Sequence, residues 1–319
     1  MSIDTGKLGL IDALWALDVT GKHPEDFNAP HDMRERIQGA QQLPPLPEMA
    51  QRVLALKSDP KADARKLAQI VELDPSLAGQ VIRWSNSARY GFQSRILSVK
   101  DAITLALGYE QVFNLALALS AIRPFQVPVE GPLGKRFFWR QTLAGSALMQ
   151  KLLYLSSLEA RPDASALHLV YLLHNIGHLL LAHLFRAEFD YLRCSISANP
   201  DARLIALERY LLDVDHGQIG AWLMASWRMP ELIQTVTLHH HNPYYRGEHQ
   251  EMVWLTCLTD RLLGKIGIGD ARNCSPTNSH LLNRLGMEPD KAEERLVEIE
   301  DALTELDEAV EALCGNEST

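Results

Sequence analysis

The sequence predicts an all-α fold, and three observations carry that expectation. No stretch alternates apolar and polar residues for long enough to make a useful strand. Helical patterns follow one another along the chain, punctuated by Asp59-Pro60, Asp74-Pro75 and Gly108. The most apolar run, Ala166 to Phe185, is rich in Leu, Ala and His, has few β-branched residues and contains no proline, so it reads as one helix. About 20 apolar residues could cross a bilayer. Here His168, His174, Asn175, His178 and His183 interrupt the run, which would be costly in lipid, so the expectation is the central helix of a core and no membrane contact.

Composition fits a protein with a large buried core: 46% of the 319 residues are hydrophobic and 22% charged. The four cysteines include no CxxC pair, which argues against a zinc ribbon or a disulfide framework and suits the cytoplasm. The opening residues lack a basic region followed by an apolar one, so no signal peptide is expected. From Glu288 onward, twelve acidic residues face only Lys291 and Arg295. That end therefore accounts for the whole net charge of −9, and the rest of the chain is close to neutral. A neutral body offers no broad footprint for nucleic acid.

Residues 1–40 read as an extension whose stretch Leu8–Val19 forms one amphipathic helix, docked on the main domain or touching a partner. The main domain is expected over 41–275, with an N-terminal helical lobe at 41–123 and a helical bundle at 135–275. Leu43-Pro-Pro-Leu-Pro47 holds the chain extended before a helix that begins near Glu48. Asp63 caps a helix over Ala64–Leu73, and Asp74-Pro75 starts another over Ser76–Ser87. This pair resembles a helix-turn-helix in which Gln80, Arg83, Ser85 and Asn86 could face outward. Acidic residues balance the basic ones there, so two packed helices are the favoured reading over DNA recognition.

Tyr90-Gly91-Phe92 reads as a turn, Ser98 caps Val99–Leu107, and Gly108 separates that helix from Val112–Ile122. A Pro/Gly-rich linker then leads to a long helix over Phe137–Leu155. Beyond the apolar run come helices over Ala202–Leu211, around Trp222, over Glu231–His241 and over Met252–Ile266. The last element, in 276–319, spans Pro289–Leu313. Its residues Leu296, Ile299, Leu303, Leu306, Val310 and Leu313 form a narrow seam that either lies on its own domain or zips a coiled-coil homodimer.

Against this apolar background the residues with chemistry are His174, Asn175, His178, His216, His239, His240, His241 and Asp260. Imidazoles and carboxylates in such number suit a transition metal. His174 and His178, four apart, could share a helix face. His239 and His240 diverge by about 100° and converge only at a helix end, which Asn242-Pro243 supplies.

His174-Asn175-Ile-Gly177 resembles the His-Asp-x-Gly core of the HD superfamily of metal-dependent phosphohydrolases, including the HD-GYP branch that hydrolyses cyclic di-GMP. Set against that pattern, the ligand positions fall at Gln141, His174, Asn175, His216, His239, His240 and Asp260. Gln141 and Asn175 depart from it: an amide stands for the first histidine, and the carboxylate of the His-Asp pair is missing. His178 replaces the lysine usual in HD-GYP proteins. The ordered set Leu43-Pro-Pro-Leu-Pro47, Asp74-Pro-Ser-Leu-Ala, Trp84-Ser-Asn-Ser-Ala, Ile103-Thr-Leu-Ala-Leu-Gly108, Phe138-Trp139, Asp215-His216-Gly-Gln-Ile-Gly220 and Trp227-Arg-Met-Pro230 is more similar to the HDOD family of bacterial signalling domains. That resemblance implies a noncatalytic output or scaffold module. It would bind other signalling proteins or a nucleotide through a degenerate groove, with no metal or other cofactor. The alternative it implies is a working phosphohydrolase, with a divalent transition metal on His174, His216, His239, His240 and Asp260.

Overall fold

The computed structural model describes residues 43–86, 96–157, 162, 164–271 and 278–314, and among them every regular element is a helix, with no strand. The expected helix at Leu8–Val19 and the turn at Tyr90-Gly91-Phe92 lie outside the described residues. Helices α1 (Glu48–Ala55), α2 (Ala64–Glu72) and α3 (Pro75–Ser85) pack on α5 (Tyr109–Ile122), and the short α4 (Val99–Asp101) packs on α2 and α3. From Val112 to Ile122 every residue of α5 is buried, as a helix apolar on all sides requires. The caps read from the sequence are present. Asp63 accepts from Lys66 N at 2.8 Å, Asp74 from Ser76 N and Leu77 N at 3.0 and 3.1 Å, and Ser98 from Asp101 N at 3.0 Å. After α4 the chain winds as a wider π-helix over Ala102–Leu107 rather than continuing as α, and Gly108 at φ +82° ends it.

The second lobe is built around α6 (Lys135–Leu155), which packs against α7 (Ala164–Leu173), α13 (Gln250–Lys265), α15 (Pro289–Asp301) and α16 (Leu303–Cys314). Helix α7 also packs on α5, so it joins the two lobes into one continuous core. Between α7 and α13 run α8 (Ile176–Leu184), α9 (Arg186–Ala198), α10 (Leu204–Leu212), α11 (His216–Ser226) and α12 (Glu231–His239), and α14 (Ser279–Leu285) follows α13.

Two expectations need correction. The run Ala166–Phe185 is not one helix: α7 ends at Leu173, the chain turns through His174 and Asn175, and α8 begins at Ile176. The break brings Gly177 against the backbone of α11, where any Cβ would collide with the His216 carbonyl and Gly220 N. The stretch is 89% buried, so its apolar surface is spent inside the fold. The C-terminal seam likewise lies on two helices, with a break at Ala302 (φ −90°, ψ 4°). Leu296, Ile299, Leu306 and Val310 are buried against their own chain, and Leu303 and Leu313 pack on the same core. The ion pairs Arg140–Asp307, Lys151–Glu298 and Arg136–Glu311 flank the contact with α6. The seam therefore lies on its own domain, one of the two placements its spacing allows.

Candidate metal centre

Five helices and one loop place their polar residues at a single buried point. His174 sits in the turn after α7, where its Nδ1 donates to Tyr171 O at 2.7 Å, leaving Nε2 inward, 3.5 Å from Asp260 Oδ1. His216 opens α11. Its Nδ1 donates to Glu208 Oε2 at 2.7 Å, and its backbone N–H reaches the same oxygen at 3.1 Å. His240 follows the last residue of α12, and its Nδ1 donates to Thr237 O at 2.8 Å. Each ring thus gives its Nδ1 proton to an oxygen that can only accept, which fixes the tautomer and turns the Nε2 lone pair inward.

The inward atoms lie close together. His216 Nε2 is 3.1 Å from His240 Nε2, 3.0 Å from His241 Nε2 and 3.4 Å from Asp270 Oδ2, and His241 Nε2 is 3.5 Å from the same Asp270 oxygen. Two lone pairs 3.1 Å apart repel unless a cation stands between them, a proton or a metal. A metal bound tetrahedrally at about 2.0–2.1 Å keeps its ligand atoms about 3.3–3.4 Å apart, so the donor set fits one. A second group, His174, His240 and Asp260, also brings its donor atoms within 4.8 Å of one another. Asp260 Oδ2 and Asp270 Oδ2 are buried and accept no hydrogen bond, as carboxylate oxygens left for a cation would be.

Electrostatics follow from this packing. Burial would push the His216 imidazole down, but the Glu208 and Asp270 carboxylates outweigh it and hold its pKa well above the ordinary value. Burial lifts the Asp270 carboxyl, yet His241 and His216 overcome that and keep it well below the carboxylate range. Burial pushes His240 well down, and the neighbouring His241, His174 and His216 add to the effect, so it stays neutral and able to ligate.

Five of the seven positions singled out from the sequence meet here, and Asn175 and His239 do not. Gln141, His174, His216, His240 and Asp260 all converge. Gln141 fills the gap between two carboxylates, donating through Nε2 to Asp260 Oδ1 at 3.2 Å and to Asp270 Oδ1 at 2.9 Å. Asn175 is buried in the turn, its Oδ1 without a donor. His239 does not take part. It is half-buried on the last turn of α12 and stacks on Tyr245 with ring centres 4.3 Å apart, while the helix end swings His240 and His241 inward. The converging pair is therefore one residue later than the sequence register suggested.

Further residues take part. His241 is visible in the triple-His run, whereas nothing local in the sequence marks Asp270 in Gly-Ile-Gly-Asp, or Glu208 and Tyr171 in their apolar helices. Tyr171 donates to Asp260 Oδ1 at 2.6 Å. Gly145 makes room for the Tyr171 ring on α6. His178 proves to be a partner of Glu208, its Nε2 donating to Oε1 at 2.8 Å. Beside the centre lies a cavity of about 410 Å³, with Leu133, Phe137, Ile196, Leu204 and Leu207 on its walls and Asp270 at the boundary with the centre.

Comparison with known proteins places this architecture. A protein named for signal transduction from Marinobacter aquaeolei VT8 superposes with a TM-score of 0.73 at 30% identity, covering 97% of this chain and 65% of that one. An HDOD domain protein of unknown function from Geobacter sulfurreducens gives 0.70 at 18% identity, with coverage of 88% and 96%. One named for phosphohydrolase activity from Shewanella amazonensis SB2B gives 0.66 at 18%, with coverage of 88% and 98%. An uncharacterized protein of Treponema pallidum is 24% identical over 215 residues, 66% of this chain, and the chain spans 40% of that relative's length. The HDOD domain profile matches residues 43–243. With that match over most of its length, the chain belongs to the HDOD family.

Proposed function

We propose that this domain is a noncatalytic signal-transduction module that acts by binding a signalling protein or a nucleotide rather than by turning over a phosphate ester. The observation that carries the reading is Gln141. Its amide occupies the space between Asp260 and Asp270, where a hydrolytic centre would hold a metal ligand and bound water. Asn175 adds no charge beside it. Access points the same way: the side chains of His174, His216, Asp260 and Asp270 are at most 1% exposed, and a catalytic metal needs an open position facing solvent. The cavity beside Asp270 has the size and apolar lining of a small-ligand site, and the module includes α13 and the loop after it, because they carry both carboxylates.

The competing reading is phosphohydrolysis of the HD type. It draws on the same donors, with His174, His216, His240 and Asp260 available to hold a metal that would polarise a water and a phosphate oxygen. The test is turnover of phosphomonoesters and cyclic dinucleotides by full-length protein supplied with manganese, iron or zinc. No turnover by the native chain is expected, whereas the double variant Gln141→His, Asn175→Asp restores the ligand types of the hydrolases. Steady metal-dependent turnover by the native chain would overturn the noncatalytic reading.

A further inference from the structure

We propose that His216, His240, His241 and Asp270 form a closed site for one divalent transition metal, with Asp270 supplying the carboxylate that Asn175 lacks. The site shares His216 and His240 with the positions of the HD pattern but takes His241 and Asp270 in place of His174, Asn175 and Asp260. The proposal goes beyond the noncatalytic reading and fails separately from it, since a protein that hydrolyses nothing can still bind a metal here.

Both carboxylates keep a buried Oδ2 that accepts no hydrogen bond and an Oδ1 held by Gln141, so what distinguishes them is the number of imidazoles within reach. The Asp260 carboxylate meets only His174 within ion-pair distance, at 3.5 Å, and its Oδ1 also accepts from Tyr171 at 2.6 Å. Asp270 Oδ2 lies within 3.5 Å of two histidine nitrogens, His216 Nε2 and His241 Nε2, and Gln141 orients this carboxylate while leaving that oxygen for the metal.

The histidine side is equally prepared. Glu208 accepts the His216 Nδ1 proton, and His178 braces the opposite Glu208 oxygen, which is the buried carboxylate–histidine arrangement that orients metal ligands. His240 is fixed by Thr237 O. Three imidazoles and one carboxylate at these separations favour zinc, whose four-coordinate sites take N and O donors. A set of four protein ligands leaves no position for substrate. The metal would tie together the start of α11, the end of α12 and the loop after α13, holding them in place for whatever binds the adjacent cavity.

The experiment is zinc titration of chelator-stripped, full-length protein against a chromophoric competitor, with folding followed by circular dichroism. One equivalent is expected to bind tightly. Asp270→Asn and His241→Ala should each weaken binding by about 100-fold or more, at or beyond the upper end of what losing an outer partner costs. Asp260→Asn should change it less than about 10-fold on the same scale. His241 is half-buried and belongs only to the Asp270 group, so its variant decides the matter even if Asp270→Asn fails to fold. No stoichiometric zinc in the native protein would overturn the proposal. So would loss of binding in Asp260→Asn with retention in His241→Ala.

Discussion

His216 Nδ1 stands 2.7 Å from Glu208 Oε2, and both side chains are at most 1% exposed. A carboxylate so deeply buried persists only because its oxygens are occupied: His178 donates to one, and the ring and backbone N–H of His216 to the other. Glu208→Gln keeps the shape but turns an N–H donor group toward another donor. We expect a loss of about 3 kcal/mol in denaturant unfolding, the size found when one partner of a buried pair is removed. Burial opposes ionisation of Glu208, but His216 and His178 outweigh it and depress the folded-state pKa far below the reference value of 4.5. The stabilisation is therefore present above about pH 4.5 and is lost as pH falls below it. Native and variant proteins should differ most in the window above about pH 4.5 and below the raised pKa of His216, and converge in acid. A gap that widened in acid would contradict the assignment.

Two glycines should respond to alanine with opposite signs. At Gly177 the new methyl collides with the carbonyl of His216 and the amide of Gly220, both backbone atoms that cannot swing away. Overpacking of this kind costs about 1–3 kcal/mol, and here it also pushes on the metal centre. At Gly79, in the middle of α3, the nearest atom to an added Cβ is the Arg83 side chain at 3.4 Å, an ordinary contact. Gly79→Ala should stabilise by about 0.5–1 kcal/mol through helix propensity alone. Paired thermal melts give the comparison, and equal effects at the two sites would be inconsistent with the packing described.

The helices were legible because apolar periodicity and caps are local signals: Asp63, Asp74 and Ser98 cap where their neighbours dictate. The break at His174–Asn175 was not, because helix propensity favours continuation there and only the tertiary approach of Gly177 to α11 overrides it. The same division runs through the metal centre. His174, His216 and His240 stood out as imidazoles in apolar helices. His239 was taken for His241 because the end of α12, which rotates the pair inward, is fixed by the fold to within one residue and by the sequence less sharply. Asp270 was invisible because a Gly-Asp turn after a helix reads as surface, and only the fold folds it back over Gln141.

The C-terminal arm should owe its attachment to its seam rather than to its charges. Leu306 is buried against α6, while the Arg140–Asp307 pair is bidentate but 36% and 48% exposed. Leu306→Ala should cost about 2–5 kcal/mol, as for other large-to-small core changes. Arg140→Ala should cost no more than about 1 kcal/mol, with that cost falling further at high salt. Urea unfolding at two ionic strengths separates these contributions. If the seam instead served a homodimer, Leu306→Ala would lower the molecular mass measured in solution while leaving monomer stability intact.

The helix-turn-helix resemblance of α2 and α3 leads to a last prediction, because two of its outward candidates for reading a base edge, Ser85 and Asn86, are already engaged. Asn86 donates to Ile96 O at 2.8 Å and accepts from Ile96 N at 2.8 Å, pinning the end of α3 to the start of the next segment. Ser85 is buried and donates to Val81 O. Asn86→Ala removes both contacts to Ile96 and leaves a part-buried amide and carbonyl unpaired, which should cost about 1–3 kcal/mol of stability. A DNA-reading role predicts a different pattern: salt-dependent duplex binding in the native chain that drops in Asn86→Ala and Arg83→Ala with little change in melting temperature. Melting curves and duplex titration at low salt on the same variants distinguish the two. We expect the effect in the melts, since an asparagine side chain committed to a backbone clamp has no free edge to offer a base.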